Sequence, residues 1–393
     1  MMKATMTDKR NSRFPRLRFP GFTEDWVEKT AMEVCKTITP PLKLQSKDYL
    51  LKGKFPIVDQ SQSLICGWTN DNSGLISDIP VIVFGDHTCA LKYIDFPFVQ
   101  GADGVKILSP QKGNNAQYVF QTFLANSVKQ DGYKRHFSDF KEKVFMFATN
   151  LAEQKKIAAC LSEMDALIEA QGKKVENLKE RKRGMMQQLF PQQGETTPRL
   201  RFPGFSGDWE YVNGDELFIP ISNKNHNSDL PILALTQDQG AVPREMINYN
   251  VIVSEKSVAG YKVVEIDDFI ISLRSFQGGI EYSRYKGLCS PAYIVLRKKD
   301  KKLCSDFFRI YFKSFNYIQD LNKNLEGIRD GKMISYKQFS EIKLPKPSPA
   351  EQEKIAACLS EMDALIASEA EKLETSQAHK RGLMQQLFPQ PSK

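Results

Sequence analysis

The chain repeats one plan, and this duplication constrains its fold more than any other sequence feature. Three motifs occur twice: PRLRFPGF at 15–22 and 198–205, EQxKIAACLSEMDALI at 153–168 and 351–366, and KRGxMQQLFPQ at 182–192 and 380–390. The segments between them, roughly 23–150 and 206–348, show no comparable similarity to each other. Near-identical frames around divergent inserts predict one architecture that is used twice for two different targets.

Composition limits the class of protein. A chain of 393 residues, 41% hydrophobic and 26% charged, is long enough for two globular domains. No stretch reaches the roughly 18 to 20 apolar residues that a membrane span needs, and the N-terminus lacks the apolar core of a secretory signal. A net charge of +8 weakly favours an anionic partner. The seven cysteines form no CxxC pair, which predicts reduced thiols rather than a zinc site or a full disulfide framework.

Each repeat carries the signals of a long helix. Asn150 is a candidate N-cap, with Glu153 three residues later. In the second copy Ser348 is the candidate N-cap, Pro349 takes the first helical position and Glu351 is expected to complete a capping box. Proline cannot continue a helix interior, so both helices should end at the Phe-Pro pair of the closing motif.

Apolar residues within these helices recur at alternating steps of four and three. This spacing predicts a coiled-coil seam formed by Ile157, Leu161, Met164, Ile168, Val175, Leu178, Ile355, Leu359, Met362, Ile366, Leu373 and Leu383. The obvious partner of each helix is the other one. Polar residues interrupt the seam at Gln171, Lys182, Glu369 and Lys380, where they could set its register. The alternative is two amphipathic helices, each lying separately on its own domain.

Gly184 and Gly382 occupy equivalent positions off the seam. Glycine within a helix costs about 1 kcal/mol relative to alanine, so its presence in both copies needs a reason. We predict that a partner subunit docks closely at these positions, and the alternative is a harmless bend in the helix.

Both inserts have strand-rich α/β character, with polar, basic and aromatic residues in the loops. Candidate DNA-contacting residues are Asn70, Asn72, His87, Lys92, Thr236, Gln237, Arg274, Gln277, Tyr282 and Arg284. Arg, Asn and Gln can form bidentate hydrogen bonds with base edges, while Lys and Tyr more often contact phosphates. The alternative for each of these residues taken alone is an ordinary solvated loop residue, and the set supports a DNA interface better than any single member does.

Motifs for catalysis are absent from the sequence. It contains no GxGxxG, Walker A, HExxH or GxSxG motif and no DPPY or NPPF tetrapeptide. Asp330 with 341–343 (Glu-Ile-Lys) is the nearest approach to a nuclease signature, and the first copy has Lys-Val-Phe in place of that tripeptide. We therefore predict neither catalytic nor metal-binding residues.

The repeated motifs resemble those of the specificity subunits of Type I restriction–modification enzymes. The resemblance rests on LRFPGF followed by Trp26 or Trp209, on EQxKIAxxLSxMDxLI at the start of a long helix and on KRGxMQQLFPQ at its end. GDHT at 85–88 with KYIDFPF, and SPAYIVL at 290–296, look like segments of that family's target recognition domains. One departure is that the residues before the first helix, VFMFATNLAEQ, lack the prolines of the second copy's IKLPKPSPAEQ.

The resemblance implies an α/β (α+β) fold, with two target recognition domains separated by two long helices in an antiparallel coiled coil, as a pseudo-twofold tandem repeat. The expected segments are a disordered tail at 1–14, a first recognition domain at 15–152, a first spacer helix at 153–191, a second recognition domain at 192–350 with its repeat starting at 198, and a second spacer helix at 351–390.

The resemblance also implies a non-catalytic function. Each recognition domain would read one half of a bipartite, asymmetric site in double-stranded DNA, and the helices would set the gap between the halves. Two methyltransferase subunits, which use AdoMet to methylate adenine, would bind the helices. Restriction subunits that translocate DNA with ATP and Mg would join them, all in the cytoplasm of a prokaryote, and the chain itself would bind no cofactor. The rival classes are a self-contained DNA enzyme and a coiled-coil adaptor with no role on DNA.

Overall fold

The computed structural model describes residues 3–4 and 14–390 except 133, 228, 248–257 and 324–333. It divides into two compact units. Unit 1 consists of Met1–Gly172 with Glu371–Lys393, and unit 2 consists of Lys173–Ala370. Each unit thus contains one divergent insert, the beginning of one long helix and the end of the other. The division follows compactness rather than chain order, so the predicted domain ranges stay a prediction.

The insert of unit 1 is a small α+β domain. Its strands are β1 Lys3–Ala4, β2 Leu17–Arg18, β3 Val27–Thr30, β4 Cys35–Ile38, β5 Lys43–Leu44, β6 Phe55–Val58, β7 Gly67–Thr69, β8 Leu75–Ile76, β9 Val81–Gly85, β10 Leu91–Ile94, β11 Phe98–Gly101, β12 Val105–Pro110 and β13 Val144–Phe147. Its helices are α1 Ala31–Val34, α2 Ala116–Ala125 and α3 Phe137–Glu142, with a 3-10 turn at Ser46–Asp48, and α4 Leu151–Leu189 follows.

An antiparallel sheet of order β10-β9-β12-β4 forms the centre of this domain. Successive side chains of a strand point to opposite faces. Accordingly, Ile82 and Phe84 of β9 belong to the cluster that includes α2 and α3, while Val81 and Val83 belong to a second cluster with Phe98 of β11. β11 in turn belongs to a sheet of order β5-β11-β6-β7, with β8 paired to β11. Burial on both faces explains the unbroken apolar run of β9.

The insert of unit 2 contains the corresponding elements. Its strands are β14 Glu210–Asn213, β15 Phe218–Ile221, β16 Leu233–Thr236, β17 Gly240–Pro243, β18 Lys262–Val264, β19 Phe269–Ile271, β20 Glu281–Tyr282, β21 Gly287–Cys289, β22 Ile294–Lys298 and β23 Lys343–Lys346. Its helices are α5 Gly214–Leu217, α6 Ser275–Gly278, α7 Ser305–Tyr311, α8 Phe315–Lys323 and α9 Tyr336–Glu341, with a 3-10 turn at Arg244–Met246, and α10 Pro349–Leu387 follows.

The two inserts share one topology despite their dissimilar sequences. The sheet β15-β22-β19-β20 has the order of β4-β12-β9-β10, and the pair β14–β23 corresponds to β3–β13. The alternation of faces is also the same, since Phe269 and Ile271 belong to one cluster and Ile270 to another. The duplication therefore includes the fold of the inserts, and the β16–β17 hairpin is an element of unit 2.

The long helices α4 and α10 each contain 39 residues, which corresponds to a length of about 58 Å. Asn150 caps α4, because its side-chain oxygen accepts a hydrogen bond from the Ala152 amide. Ser348 caps α10 in the same way through the Glu351 amide, and Pro349 is its first residue. The helices end immediately before the phenylalanines of the Phe-Pro pairs, as predicted.

The helices pack antiparallel within each unit. In unit 2 Lys174 pairs with Glu369 and Lys182 pairs with Asp363. Residues later in α4 therefore face residues earlier in α10, which is the antiparallel arrangement. In unit 1 Lys380 pairs with Asp165. Leu383 and Leu387, further along α10, belong to the same cluster as Leu161 and Ile157, which lie earlier in α4. The two helices are therefore partners rather than separate amphipathic helices.

The predicted seam residues are all buried or half-buried. Ile157, Leu161, Val175, Ile355, Leu359 and Leu383 are buried; Met164, Ile168, Leu178, Met362, Ile366 and Leu373 are half-buried. Leu167 and Leu365, which lie off the seam, are exposed. The polar interruptions Lys182, Lys380 and Glu369 hold the ion pairs just described.

A buried arginine–glutamate pair attaches each LRFPGF motif to a long helix. Nε and Nη2 of Arg18 donate to the two carboxylate oxygens of Glu153 at 2.7 and 2.8 Å. Arg201 binds Glu351 at 2.8 and 2.9 Å. The expected capping box at Ser348 is therefore wrong. The Glu351 amide does donate to the Ser348 hydroxyl, but the Glu351 carboxylate binds Arg201 instead of the Ser348 amide.

The glutamine after each of these glutamates attaches the insert to the same helix. Gln154 accepts a hydrogen bond from the Asn115 amide and donates to the Ala148 carbonyl, and Gln352 makes the equivalent contacts with Cys304 and Pro347. The missing prolines before the first helix therefore do not alter this contact.

Candidate nucleic-acid interface

The candidate residues of unit 1 fall into two groups. Asn70 and Asn72 are exposed in the loop after β7, where the Asn70 side-chain oxygen accepts a hydrogen bond from the Lys54 amide at 3.2 Å. His87 is half-buried in the turn between β9 and β10, and its Nδ1 lies 3.2 Å from the Lys134 carbonyl.

Lys92 points inward, although sequence reasoning placed it with the DNA-contacting residues. Its ammonium donates to the carbonyls of Asp59 and Ser63 at 2.7 and 2.5 Å, and it lies 3.8 Å from the Asp59 carboxylate. Burial lowers the pKa of Lys92 from its usual value. This lysine holds the loop after β6 in place, and its burial leaves little of it to meet a phosphate.

A polar cleft of about 730 Å³ in unit 2 brings together three of the predicted residues, Gln237, Tyr282 and Arg284. Gln237 is exposed at the tip of the β16–β17 hairpin. Thr236 shapes that tip, because its hydroxyl donates to the Gly240 carbonyl and accepts from the Gln239 amide. Arg284 is exposed just after β20.

Tyr282 is oriented by a neighbouring carboxylate. Its hydroxyl donates to Asp267 at 2.5 Å, and its ring packs on Phe269. Burial, together with the hydrogen bond to Asp267, raises the pKa of Tyr282 above its usual value, so the hydroxyl remains a neutral donor and acceptor.

Sequence reasoning missed a second polar layer in this cleft, formed by Glu281, Lys313 and Arg309. The carboxylate of Glu281 is 5% exposed and pairs with Lys313 at 2.6 Å. Its Oε2 atom has no hydrogen-bond partner among the residues that the structure describes. Burial raises the pKa of Glu281, and the nearby Lys313 opposes that effect. The residues around Glu281, IEYSRY, carry no motif for such a site, and its partner Lys313 lies 32 residues further along the chain.

The cleft is bounded on one side by the long helices of its own unit. Lys182 and Met186 of α4 line it with Asp363 and Ala367 of α10. Asp363 lies 3.9 Å from Arg309 of α7 as well as pairing with Lys182, and Arg309 also donates to the Ser360 hydroxyl. The inter-helix ion pair thus connects directly to the insert of unit 2.

Arg274 and Gln277 are exposed around the short helix α6 and are not among the residues that line the cleft. Of the nuclease candidate, Asp330 lies outside the described residues, and Glu341 is exposed at the end of α9. Within the described part of the chain, no group of three or more His, Cys, Asp or Glu side chains could hold a metal ion.

Gly184 and Gly382 are half-buried on the long helices. A Cβ built on either glycine meets no atom within 4 Å in the part of the chain described here. Space beside both glycines is therefore open within the chain itself. The described helices include none that is long and apolar enough to cross a bilayer.

Comparison with known proteins shows what this chain is similar to. Residues 207–375 match the family model of the Type I restriction modification DNA specificity domain. The type I restriction enzyme MjaX specificity subunit of Methanocaldococcus jannaschii is 30% identical over 251 residues, which cover 61% of this chain and 57% of that protein. The MjaVIII specificity subunit of the same organism is 26% identical over 287 residues, covering 68% of this chain and 67% of that protein.

The fold has solved counterparts. The S subunit of a Type I restriction–modification system from M. genitalium superposes with a TM-score of 0.62 at 16% identity, covering 96% of this chain and all of that chain. This chain spans little more than half the length of the first relative, MjaX.

Proposed function

We propose that this chain belongs to the Type I restriction–modification specificity-subunit family and is a non-catalytic subunit that reads a bipartite, asymmetric DNA sequence, one half with each recognition domain. The observation that carries the proposal is the pairing of one fold with two different sets of exposed side chains. The sheets and helix anchors of the two inserts correspond, whereas the exposed polar side chains differ: one insert presents Asn70 and Asn72, and the other presents Gln237 and Arg284. A scaffold that is kept while its polar surface changes suits two half-sites of different sequence.

The long helices are proposed to set the unread gap between the half-sites. Their equal lengths and the repeated cross-helix ion pairs support this, because they fix which turns of α4 and α10 face each other. Half-sites read from one face of B-DNA are centred about one helical turn, 34–36 Å, apart.

The chemistry is proposed to belong to other subunits. Two methyltransferase subunits that use AdoMet on adenine, and restriction subunits that use ATP and Mg to translocate DNA, would assemble on this chain in the prokaryotic cytoplasm. A protein of similar fold, with a TM-score of 0.51, comes from work on complex assembly and conformational transition of the type I R-M system. The open space beside Gly184 and Gly382 supports a docking surface on the helices.

Exchange of one recognition domain tests the function directly. Residues 23–150 are replaced by the equivalent segment of a relative, the chimaera is expressed with its partner subunits, and adenine methylation is mapped across the genome. One half of the methylated sequence should change while the other half and the gap stay the same. An unaltered methylated sequence would show that this domain does not determine specificity.

The reciprocal exchange of residues 206–348 is the matched control. It should change the other half only. Methylation or cleavage by the purified chain alone would contradict the non-catalytic assignment, and normal methylation in cells without the chain would remove its role in recognition.

A further inference from the structure

Leu51 is the most exposed of the large hydrophobic side chains that the structure describes, at 98%. It lies at the tip of the segment between the 3-10 turn Ser46–Asp48 and strand β6. Single exposed leucines are common on protein surfaces, so exposure alone indicates nothing. Two features of the surrounding segment distinguish this leucine: its backbone is held by hydrogen bonds on both sides, and it carries positive charge.

The backbone on both sides of Leu51 is held rigidly. The preceding residue, Leu50, exchanges two hydrogen bonds of 2.9 Å with Trp68 of β7. On the other side, the Lys54 amide donates to the Asn70 side chain. Gly53 packs so closely on β7 that a Cβ there would lie 2.9 Å from the Thr69 carbonyl oxygen. The tip is therefore preorganised, and Leu51 cannot fold back onto the domain.

The segment is also positively charged. Lys47, Lys52 and Lys54 are exposed, and Asp48 is the one acidic residue between Ser46 and Lys54. None of the three lysines forms an ion pair with any other described residue. Lysines on both sides of an apolar tip match a partner whose phosphates lie on either side of an apolar stack of bases, as they do in duplex DNA. Lysine is depleted at protein–protein interfaces, so the same pattern disfavours a protein partner.

We propose that Leu51 is an apolar wedge that enters the DNA at the half-site read by the first recognition domain, partly unstacking one base step while the flanking lysines contact the phosphates. The proposal rests on the proposed DNA-reading function. It assigns Leu51 a role in recognising how readily a base step deforms, in addition to the base-edge contacts offered by Asn70 and Asn72.

The test compares two exposed leucines of the same domain. Leu51→Gln and Leu124→Gln, the latter on α2 and 39% exposed, are each assembled with the partner subunits. Binding is measured on a duplex that carries the mapped methylation site and on a duplex of unrelated sequence. 2-Aminopurine is placed in turn at adenines of the first half-site, because its fluorescence rises when a base unstacks.

Leu51→Gln should weaken binding to the site by about tenfold, because without the wedge the DNA is not deformed and the contacts that the deformed site allows are lost. It should also remove the fluorescence rise at one base step, while binding to unrelated DNA changes by less than about twofold because the lysines remain. Leu51→Met should retain both signals, and Leu124→Gln should match the original chain.

Two outcomes would overturn the proposal. One is unchanged site affinity and fluorescence in Leu51→Gln, and the other is loss of a partner subunit from that variant, which would make the tip a protein-docking site. Neither outcome affects the domain exchange. If the exchange switches one half-site and Leu51→Gln has no effect, then only the wedge is wrong; if the exchange switches nothing, the DNA-reading function itself fails.

Discussion

Lys182 and Asp363 form an ion pair between the two long helices, with Nζ 2.5 Å from Oδ1. The same pair recurs in unit 1 between Lys380 and Asp165. Both lysines are among the polar residues that interrupt the apolar seam. A polar seam residue lowers stability relative to an apolar one but is satisfied in only one register, so these pairs specify how the helices align.

Replacing Lys182 with Met should therefore affect alignment more than stability. The pair is partly exposed, so its coupling energy should be about 1 kcal/mol or less. Urea unfolding of the Lys182→Met, Asp363→Asn and double variants gives that coupling as a double-mutant cycle. Arg309 also approaches Asp363, so the Asp363→Asn variant should lose more than Lys182→Met. A coupling energy of zero would contradict a register-setting pair.

The helices could be predicted closely because their signals are local. The caps Asn150 and Ser348, the heptad spacing and the Phe-Pro pairs all lie within a few residues of the structure that they determine. The roles of Arg18 and Arg201 could not be predicted in this way. Their glutamate partners lie 135 and 150 residues away in the chain, and no local pattern relates them.

The candidate site was only partly predictable for the same reason. Residue type places Lys92 among phosphate-binding side chains, yet the fold directs it to the carbonyls of Asp59 and Ser63. Glu281 was missed because a single carboxylate in a short strand offers no motif. Its position in the cleft depends on Lys313, which comes from a different element. The contacts of the ten predicted residues with DNA stay a prediction.

Breaking the buried pair of the second copy should be strongly destabilising. Arg201→Met leaves the Glu351 carboxylate, 2% exposed, without its main partner, and loss of one member of a buried pair costs about 3–5 kcal/mol. The double variant Arg201→Met with Glu351→Met should recover most of this loss, because an apolar pair needs no charge compensation. Urea unfolding measures both. If the single variant were no less stable than the double variant, the pair would not be holding the LRFPGF segment.

Arg18→Met provides the matched test in unit 1. Its pair with Glu153 has the same two hydrogen bonds and similar burial, so the loss should be of the same order. Hydrogen exchange should show faster exchange near the substituted arginine and its glutamate than in the untouched copy. Equal exchange in both copies would contradict the local role of the pair.

Glu281 should make the stability of unit 2 fall as pH rises. Burial raises the pKa of its carboxyl above the ordinary 4.5, so the folded state binds more protons than the unfolded state from about that pH upward. Stability then decreases with pH across this interval, until the folded carboxyl has also ionised. Glu281→Gln should remove this component. The check is urea unfolding of both proteins between about pH 4 and 7, which gives the difference between their free energies of unfolding at each pH.

Other carboxyl groups titrate in the same range, so the sign of the difference is the decisive result. The original chain should lose stability relative to Glu281→Gln as pH rises. A difference that stayed constant would mean that the pKa of Glu281 is unperturbed, and a difference of opposite sign would mean that the pairing with Lys313 outweighs burial. Lys313→Met should enlarge the pH-dependent difference, because it removes the opposing charge.

Substitutions at the two glycines of the long helices should affect the stability of the free chain and the binding of its partners in different ways. Gly184→Ala and Gly382→Ala meet no neighbouring atom in the described chain, so each should stabilise the free chain by about 1 kcal/mol through helix propensity. Gly184→Leu with Gly382→Leu should likewise be tolerated by the free chain but should block a partner that packs against these turns. Thermal unfolding measures the first effect, and co-purification with the proposed methyltransferase subunits measures the second. Leucine variants that unfold normally and still retain those subunits would show that the glycines do not form the docking surface.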